Sequence, residues 1–285
     1  RLTDGRVRKL RELLQVWADS SHVFTCEELM SLVGKLEFAT VVVRAGTAFL
    51  RRIRGLMMSL KNKRGTGHSH RGASKRLDKE ALLDVQWWFD VFLTSAGNRR
   101  AIVEQPWTES VQVFTDACLD GFGARCGNKW FQGQWSEAQK KFALVNTKVS
   151  MPYLELHALT QAAVTWGEEW RGKRVTFCCD AEAAVRAVQV MRSRRDSLSE
   201  LLRLLYATAA KHDFEFRCEH LPGVTNVIAD ALSRNCSLQE LQALLPTAEA
   251  RPTPAKPLPV DWERIIPWPD PMLDRLPEDL HPRQQ

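Results

Sequence analysis

Long apolar runs are missing from this 285-residue chain. No segment approaches the roughly 20 consecutive apolar residues that span a bilayer, and none carries the pattern of a secretory signal. No membrane role is expected, and the compartment is read as cytoplasmic or nuclear rather than secreted. The chain begins with Arg1 instead of Met and is read as a piece of a longer one. Paired cysteine spacing is missing too. The seven cysteines, at 26, 118, 126, 178, 179, 218 and 236, include no C-x-x-C. That argues against a disulfide framework or a zinc site and for reduced, buried thiols. Acidic residues are absent from Arg44 to Arg76, a stretch holding ten Lys or Arg. Proline is scarce before Pro246, and ten of the thirteen fall from that residue onward; such density argues against a packed domain there. No internal repeat is present.

What remains is ordinary globular material, 44% apolar, with enough chain for one large domain or two modest ones. The net charge of +6 conceals the basic run, whose natural complement is a polyphosphate. Arg51, Arg52, Arg54, Lys61, Lys63 and Arg64 form the candidate nucleic-acid-binding set. Helical spacing is expected over 10–17, from the capping signature Thr25/Glu28 to about Val43, and over 78–93 with Trp87, Trp88 and Phe92 as anchors. The glycine-rich 65–72 reads as a loop.

From about Glu109 the period changes. Strands are expected at 111–116, 121–127 and 130–135, then a long helix over 153–170 and a strand at 174–179. Helices at 181–191 and 196–212, a strand at 214–219 and a helix at 226–235 complete the pattern. That order, βββ-α-β-α-α-β-α, describes a mixed sheet with helices on its faces. The chain divides into a helical segment 1–60, a basic loop and connecting helix 61–108, an α/β domain 109–236 and a Pro-rich tail or linker 237–285. Trp262 and Trp268 in that tail are candidates to dock on the body or on a partner.

Four acids stand in distinct settings: Asp116 ends a strand pattern, Glu155 opens a helix, Asp180 follows an apolar strand run and Asp230 sits in a late helix. Two strand ends and two helices that converge four carboxylates make a site for hard divalent cations. Unneutralised, the carboxylates repel one another. Two Mg²⁺ ions about 4 Å apart would relieve this and form a phosphodiester-cleaving centre, with Mn²⁺ as a possible substitute. Asp116 is expected to bridge both ions, with Glu155 and Asp180 on one and Asp230 on the other. His220, on the loop side of the last strand, is placed to shuttle protons or help expel product.

Thr115-Asp116-Ala117, Tyr153-Leu154-Glu155-Leu156 and the block His220-Leu221-Pro222-Gly223-Val224-Thr225-Asn226-Val227-Ile228-Ala229-Asp230-Ala231-Leu232-Ser233-Arg234 resemble the ribonuclease H domain of retrotransposon reverse transcriptases. The last block is similar to the ending in gypsy-type and, more closely, DIRS-type elements. Leu32 to Ala39 resembles the thumb of those polymerases, and Trp87-Trp88 their connecting segment. The resemblance spans roughly 25 to 235. It implies a ribonuclease H-like α/β fold, a mixed five-stranded sheet flanked by helices and preceded by a small helical thumb and connection region. It also implies Mg²⁺-dependent cleavage of RNA in RNA/DNA hybrids, with Asp116, Glu155, Asp180 and Asp230 as metal and catalytic residues and His220 assisting. The implied partners are the hybrid and an upstream polymerase palm and fingers; no Tyr-x-Asp-Asp motif occurs here.

The chain differs from many relatives at Pro152, Ala181 and Cys118. The stretch between Asp180 and His220 is too short for the basic protrusion of the cellular enzyme, which leaves hybrid grip to the basic run at 44–76. Two other readings of the same fold are an integrase- or transposase-type nuclease and a catalytically silent hybrid-binding scaffold.

Overall fold

The structure, a computed structural model, describes residues 2–64, 75–93, 110–145, 147–193 and 196–258. The chain forms two compact units, Arg1–Pro106 and Trp107–Gln285.

In the first unit, helices α1 (Asp4–Trp17), α2 (Cys26–Ala39), α3 (Arg51–Arg64) and α4 (Lys79–Leu93) bury Leu14, Leu29, Leu36, Leu50, Ile53, Val85 and Trp88. The capping signature is real: the Glu28 N–H donates to Thr25 Oγ1 at 3.3 Å, and the Thr25 N–H to Glu28 Oε2 at 2.7 Å. That helix ends at Ala39, short of Val43, because the Thr40 hydroxyl donates to the Glu37 carbonyl at 2.7 Å and three β-branched valines follow. Helix α3 runs through the boundary expected at residue 60, since no glycine or proline interrupts Leu56 to Arg64. The loop expected at 65–72 lies outside the described residues.

The second unit is a five-stranded mixed sheet in the order β3-β2-β1-β4-β5, as the ribonuclease H-like reading requires. Strands β1 (Val111–Ala117), β2 (Gly121–Cys126) and β3 (Lys129–Gln134) form an antiparallel meander. Strands β4 (Arg174–Cys179) and β5 (Glu215–His220) run parallel to β1. Helix α5 (Glu137–Val145) precedes α6 (Thr147–Trp166), and α7 (Glu182–Val190) and α8 (Asp196–His212) join β4 to β5. Helices α9 (Val227–Ser233) and α10 (Leu238–Leu244) follow.

Helix α6 is buried nearly all round, with Tyr153 through Ala158 and then Leu159, Ala162, Ala163 and Trp166 inaccessible, so it lies between the sheet and α8. Its start at Thr147 is earlier than the sequence suggests, and Pro152 lies inside it. Strand alternation sends Phe131, Thr115 and Cys179 to the α6 face: Phe131 packs on Trp166 at 5.0 Å, and Cys179 reaches Glu155. Gly123 faces the other way, toward α9.

The tail begins later than residue 237. A capping box of Ser237 and Glu240 opens α10, and Leu241 and Ala248 pack with Trp130 and Leu232. Backbone N–H groups of Glu249 and Thr253 then donate to Asn128 and Trp130 at 3.0 and 2.8 Å, and the Lys256 N–H donates to Thr165. Prolines in 246–258 leave these donors free, so the extended segment straps the β3 edge instead of dangling. Trp262 and Trp268 lie outside the described residues.

Helix α9 rests directly on glycines. A Cβ on Gly123 would come within 2.7 Å of the Leu232–Ser233 backbone, and one on Gly121 within 2.8 Å of the Ser233 carbonyl. Gly123→Ala is therefore expected to cost about 1–3 kcal/mol through overpacking, read as a lower midpoint in urea unfolding. An unchanged midpoint would show that α9 does not need the close approach.

Candidate metal centre

Parallel register aligns the first two acids. Val111 pairs with Val175 and Phe114 with Cys178, so two further steps bring Asp116 level with Asp180, just past the end of β4. Helix α6 brings Glu155 to the same strand ends, where Cys179 Sγ–H donates to Glu155 Oε2 at 3.7 Å and the Ala117 N–H supplies a second bond. Helix α9 brings Asp230 from the opposite face. Asn226 secures this approach: its buried amide donates to the Thr115 carbonyl at 3.0 Å, one residue before Asp116. Cys118 Sγ donates to the Ser233 carbonyl at 3.2 Å, a second tie between β1 and α9. Trp135 Nε1 in turn donates to the Cys118 carbonyl at 2.8 Å.

The acids are neighbours without being equivalent. Glu155, Cys179 and Asp180 offer ligand atoms within 4.8 Å of one another. Asp116 and Asp230 stand outside this group. Asp230 is clasped by Arg234, whose Nε lies 3.0 and 3.1 Å from the two carboxylate oxygens and whose terminal nitrogen lies 2.8 Å from one. His220 is exposed, and its Nε2 is 3.0 Å from the Asp180 carbonyl oxygen, next to the third acid in the chain. Ala181 caps α7 without a side-chain hydrogen bond.

Electrostatics reflect crowding. Burial pushes Asp116 up to about 6, and the charges of Asp180 and Asp230 add to the rise while Ser233 and Arg234 oppose it. Burial raises Glu155 well above the usual carboxylate range, assisted by Asp116 and Asp180. Asp180 is raised by burial and by Asp230, against the pull of its own backbone and of His220. The oxygen donors of Asp116, Glu155 and Asp180, held with their affinity for protons raised, are a fit for hard divalent cations, which would take the protons' place. Gly223 lies against this pocket, since a Cβ there would sit 3.0 Å from Asp180 Oδ2. Cys179 is held as a neutral thiol by burial and by Glu155, which suits it to donate to the carboxylate and not to bind metal.

The basic set sits in the first unit. Arg52 pairs with Glu80 and, at 3.4 Å, with the buried Asp84; Arg54 pairs with Glu37 at 2.8 Å. These two arginines tie α3 to α4 and α2, so a phosphate would have to displace carboxylates to reach them. Arg51 lies one residue ahead of Arg52, at the start of α3. Lys61, Lys63 and Arg64 belong to α3, but their side chains lie outside the described residues.

Sequence reasoning singled out neither Asn226, Ser233 nor Arg234 as part of the centre. Arg234 carried a signal, standing four residues after Asp230 on one helix face.

No protein-family model and no curated protein matches the chain. Among solved structures, a foamy viral protease–reverse transcriptase in complex with double-stranded DNA aligns at a TM-score of 0.27 and 14% identity. The alignment covers 78% of this chain and 36% of that chain. At that level the likeness supports neither a shared activity nor a shared ligand. No helix of the described residues is long and apolar enough to cross a membrane.

An acid held above its unfolded value binds its proton more tightly in the folded state, so folding weakens as pH rises through that range. For Asp116, a rise from 3.8 to about 6 corresponds to about 3 kcal/mol. The metal-free protein is expected to melt at lower temperature at pH 8 than at pH 4.5, with part of the dependence removed in Asp116→Asn and the rest carried by Glu155 and Asp180. Added Mg²⁺ should raise the melting temperature more at pH 8 than at pH 5, where protons compete. A melting temperature flat across this range, with or without Mg²⁺, would count against the coupled acids.

Proposed function

We propose that this chain is a Mg²⁺-dependent endonuclease that cuts the RNA strand of RNA/DNA hybrids, the C-terminal part of a retrotransposon reverse transcriptase of DIRS or gypsy-like type. The observation that carries the reading is the convergence of Asp116, Glu155, Asp180 and Asp230 on one end of the sheet, from two strand ends and two helices on opposite faces. The resemblance of the block from His220 to Arg234 to retrotransposon ribonuclease H domains supports it independently.

Divalent cations held by these four residues would supply charge neutralisation and an acidified water for attack on a phosphodiester. Mn²⁺ is a plausible substitute for Mg²⁺ because the donor set is all oxygen. Asp116, central in the sheet and influenced by both Asp180 and Asp230, would be shared between two cations. Glu155 and Asp180 would hold one and Asp230 the other. His220, tethered by its Nε2 to the Asp180 backbone, stands at the rim, where an exposed imidazole can accept or deliver a proton to solvent.

Hybrid recognition would rest on phosphate contacts, with the 2′-hydroxyl marking the RNA strand, so sequence preference is expected to be weak. Arg51, Lys61, Lys63 and Arg64 are the phosphate contacts proposed from the basic run. Arg52 and Arg54 would join them only by leaving Glu80, Asp84 and Glu37. The palm and fingers of the polymerase are the proposed upstream partners, and the compartment is cytoplasm or nucleus.

A labelled RNA/DNA hybrid in Mg²⁺, beside duplex DNA and duplex RNA, is expected to lose its RNA strand alone. Asp180→Asn should lower the rate by at least about 100-fold, since it removes a ligand of the centre. Binding of the hybrid with no cutting by the unaltered chain would instead favour the silent scaffold. Cutting of duplex DNA would favour the integrase- or transposase-type nuclease.

A further inference from the structure

The Asp230–Arg234 pair has two descriptions. An exposed pair four residues apart on a helix is commonplace and contributes less than about 1 kcal/mol. Arg234 is 65% exposed and also sits at the C-terminal end of α9, where a cation is favoured. Those facts alone would leave it a surface ornament.

Its partner makes the difference. Asp230 is one of the four acids of the centre, and the guanidinium engages both of its oxygens, at 3.0 and 3.1 Å from Nε and 2.8 Å from the terminal nitrogen. Three of the roughly four lone-pair directions of this carboxylate are taken by guanidinium N–H groups, so a cation binding Asp230 competes with Arg234 for them. The same positive charge also acts on Asp116. Asp180 and Glu155, by contrast, meet no guanidinium among the described residues: Asp180 feels His220, and Glu155 is met by the Ala117 N–H and the Cys179 thiol. The centre is therefore asymmetric before any cation binds. One side presents carboxylates met by neutral donors and a histidine, and the other is paired with an arginine.

We propose that Arg234 is a displaceable counterion that competes with the divalent cation for Asp230 and is drawn off by a backbone phosphate of the nucleic acid. The inference rests on the proposed nuclease reading. A planar guanidinium fork fits carboxylate and phosphate oxygens alike, so the transfer exchanges one bidentate partner for another. The weakness of an exposed pair is what makes the exchange feasible, and a buried pair could not act this way. With Arg234 on Asp230, the Glu155–Asp180 side binds its cation first. The Asp230 side fills fully only when a phosphate has taken the arginine. Arg234 is thus a positioning residue that couples the second cation to the presence of substrate.

The test counts Mn²⁺ bound to the full chain, without nucleic acid, by titration calorimetry and by the paramagnetic signal of the free ion. Circular dichroism and urea midpoints confirm that the variants fold. Arg234→Gln is expected to bind the weaker of two Mn²⁺ ions about fivefold more tightly than the unaltered chain, the factor set by an exposed pair. Arg234→Lys, with charge but no fork, should fall between them. In cleavage assays Arg234→Gln should raise the KM for hybrid more than it lowers kcat. Equal or weaker Mn²⁺ binding in Arg234→Gln overturns the proposal while leaving the nuclease reading in place. Absence of Mn²⁺ binding in the folded unaltered chain and in Arg234→Gln overturns both.

Discussion

The close approach of α9 to β2 is the constraint on which the candidate centre depends. Helix α9 has only seven residues, too short to be stable by itself, and it is fixed by where it lands. Gly121 and Gly123 remove the side chains that would hold it off, and Leu232 fills the space against Trp130 and Leu241. Asn226 and Cys118 then tie the helix to β1 through the carbonyls of Thr115 and Ser233. Every one of these contacts lies within two residues of Asp116 in sequence or register, or within four of Asp230. The helix that carries the last acid is thus positioned by the strand that carries the first.

That arrangement has an electrostatic cost. Asp116 and Glu155 are almost inaccessible to water, and each acid raises another's hold on its proton. The structure answers the strain in three ways: a thiol and a backbone N–H on Glu155, a histidine beside Asp180 and an arginine on Asp230. The responses differ because the surroundings differ. Glu155 is deep, where only short, neutral donors reach it, while Asp230 is half-buried at the rim, where a long flexible cation can reach it. The site is a set of buried ligands with an open flank.

The two units illustrate different kinds of arginine. In the first, Arg52 bonds Glu80 and the buried Asp84, and its charge cements α3 to α4. Its place in a basic run says nothing of this, because the acids that meet it come roughly thirty residues later on another helix. Charge density in sequence marks where phosphate could bind; packing decides which charges are already spoken for.

Much of the α/β unit was legible in the sequence. Alternation gave β1, β4 and β5 to within a residue or two, and the apolar periodicity of 196–212 marked α8 at both ends. The capping residues at Thr25 placed the start of α2 because a side-chain oxygen and a backbone N–H three residues on are a purely local match. Helices α5 and α10 escaped notice. Each is short and draws its stability from neighbours, and the prolines after α10 mask a segment whose free N–H groups bond the β3 edge. By itself the sequence determined which acids stood at strand ends and which on helices, since strand and helix periods are local properties of the chain, although Glu155 lies inside α6 and not at its start. Only the tertiary structure decided that Glu155 lies with Cys179 and Asp180, that Asp230 is claimed by Arg234 and that α9 rests on bare glycine. Those outcomes turn on distances between residues far apart in sequence, set by sheet register and by the absence of two Cβ atoms.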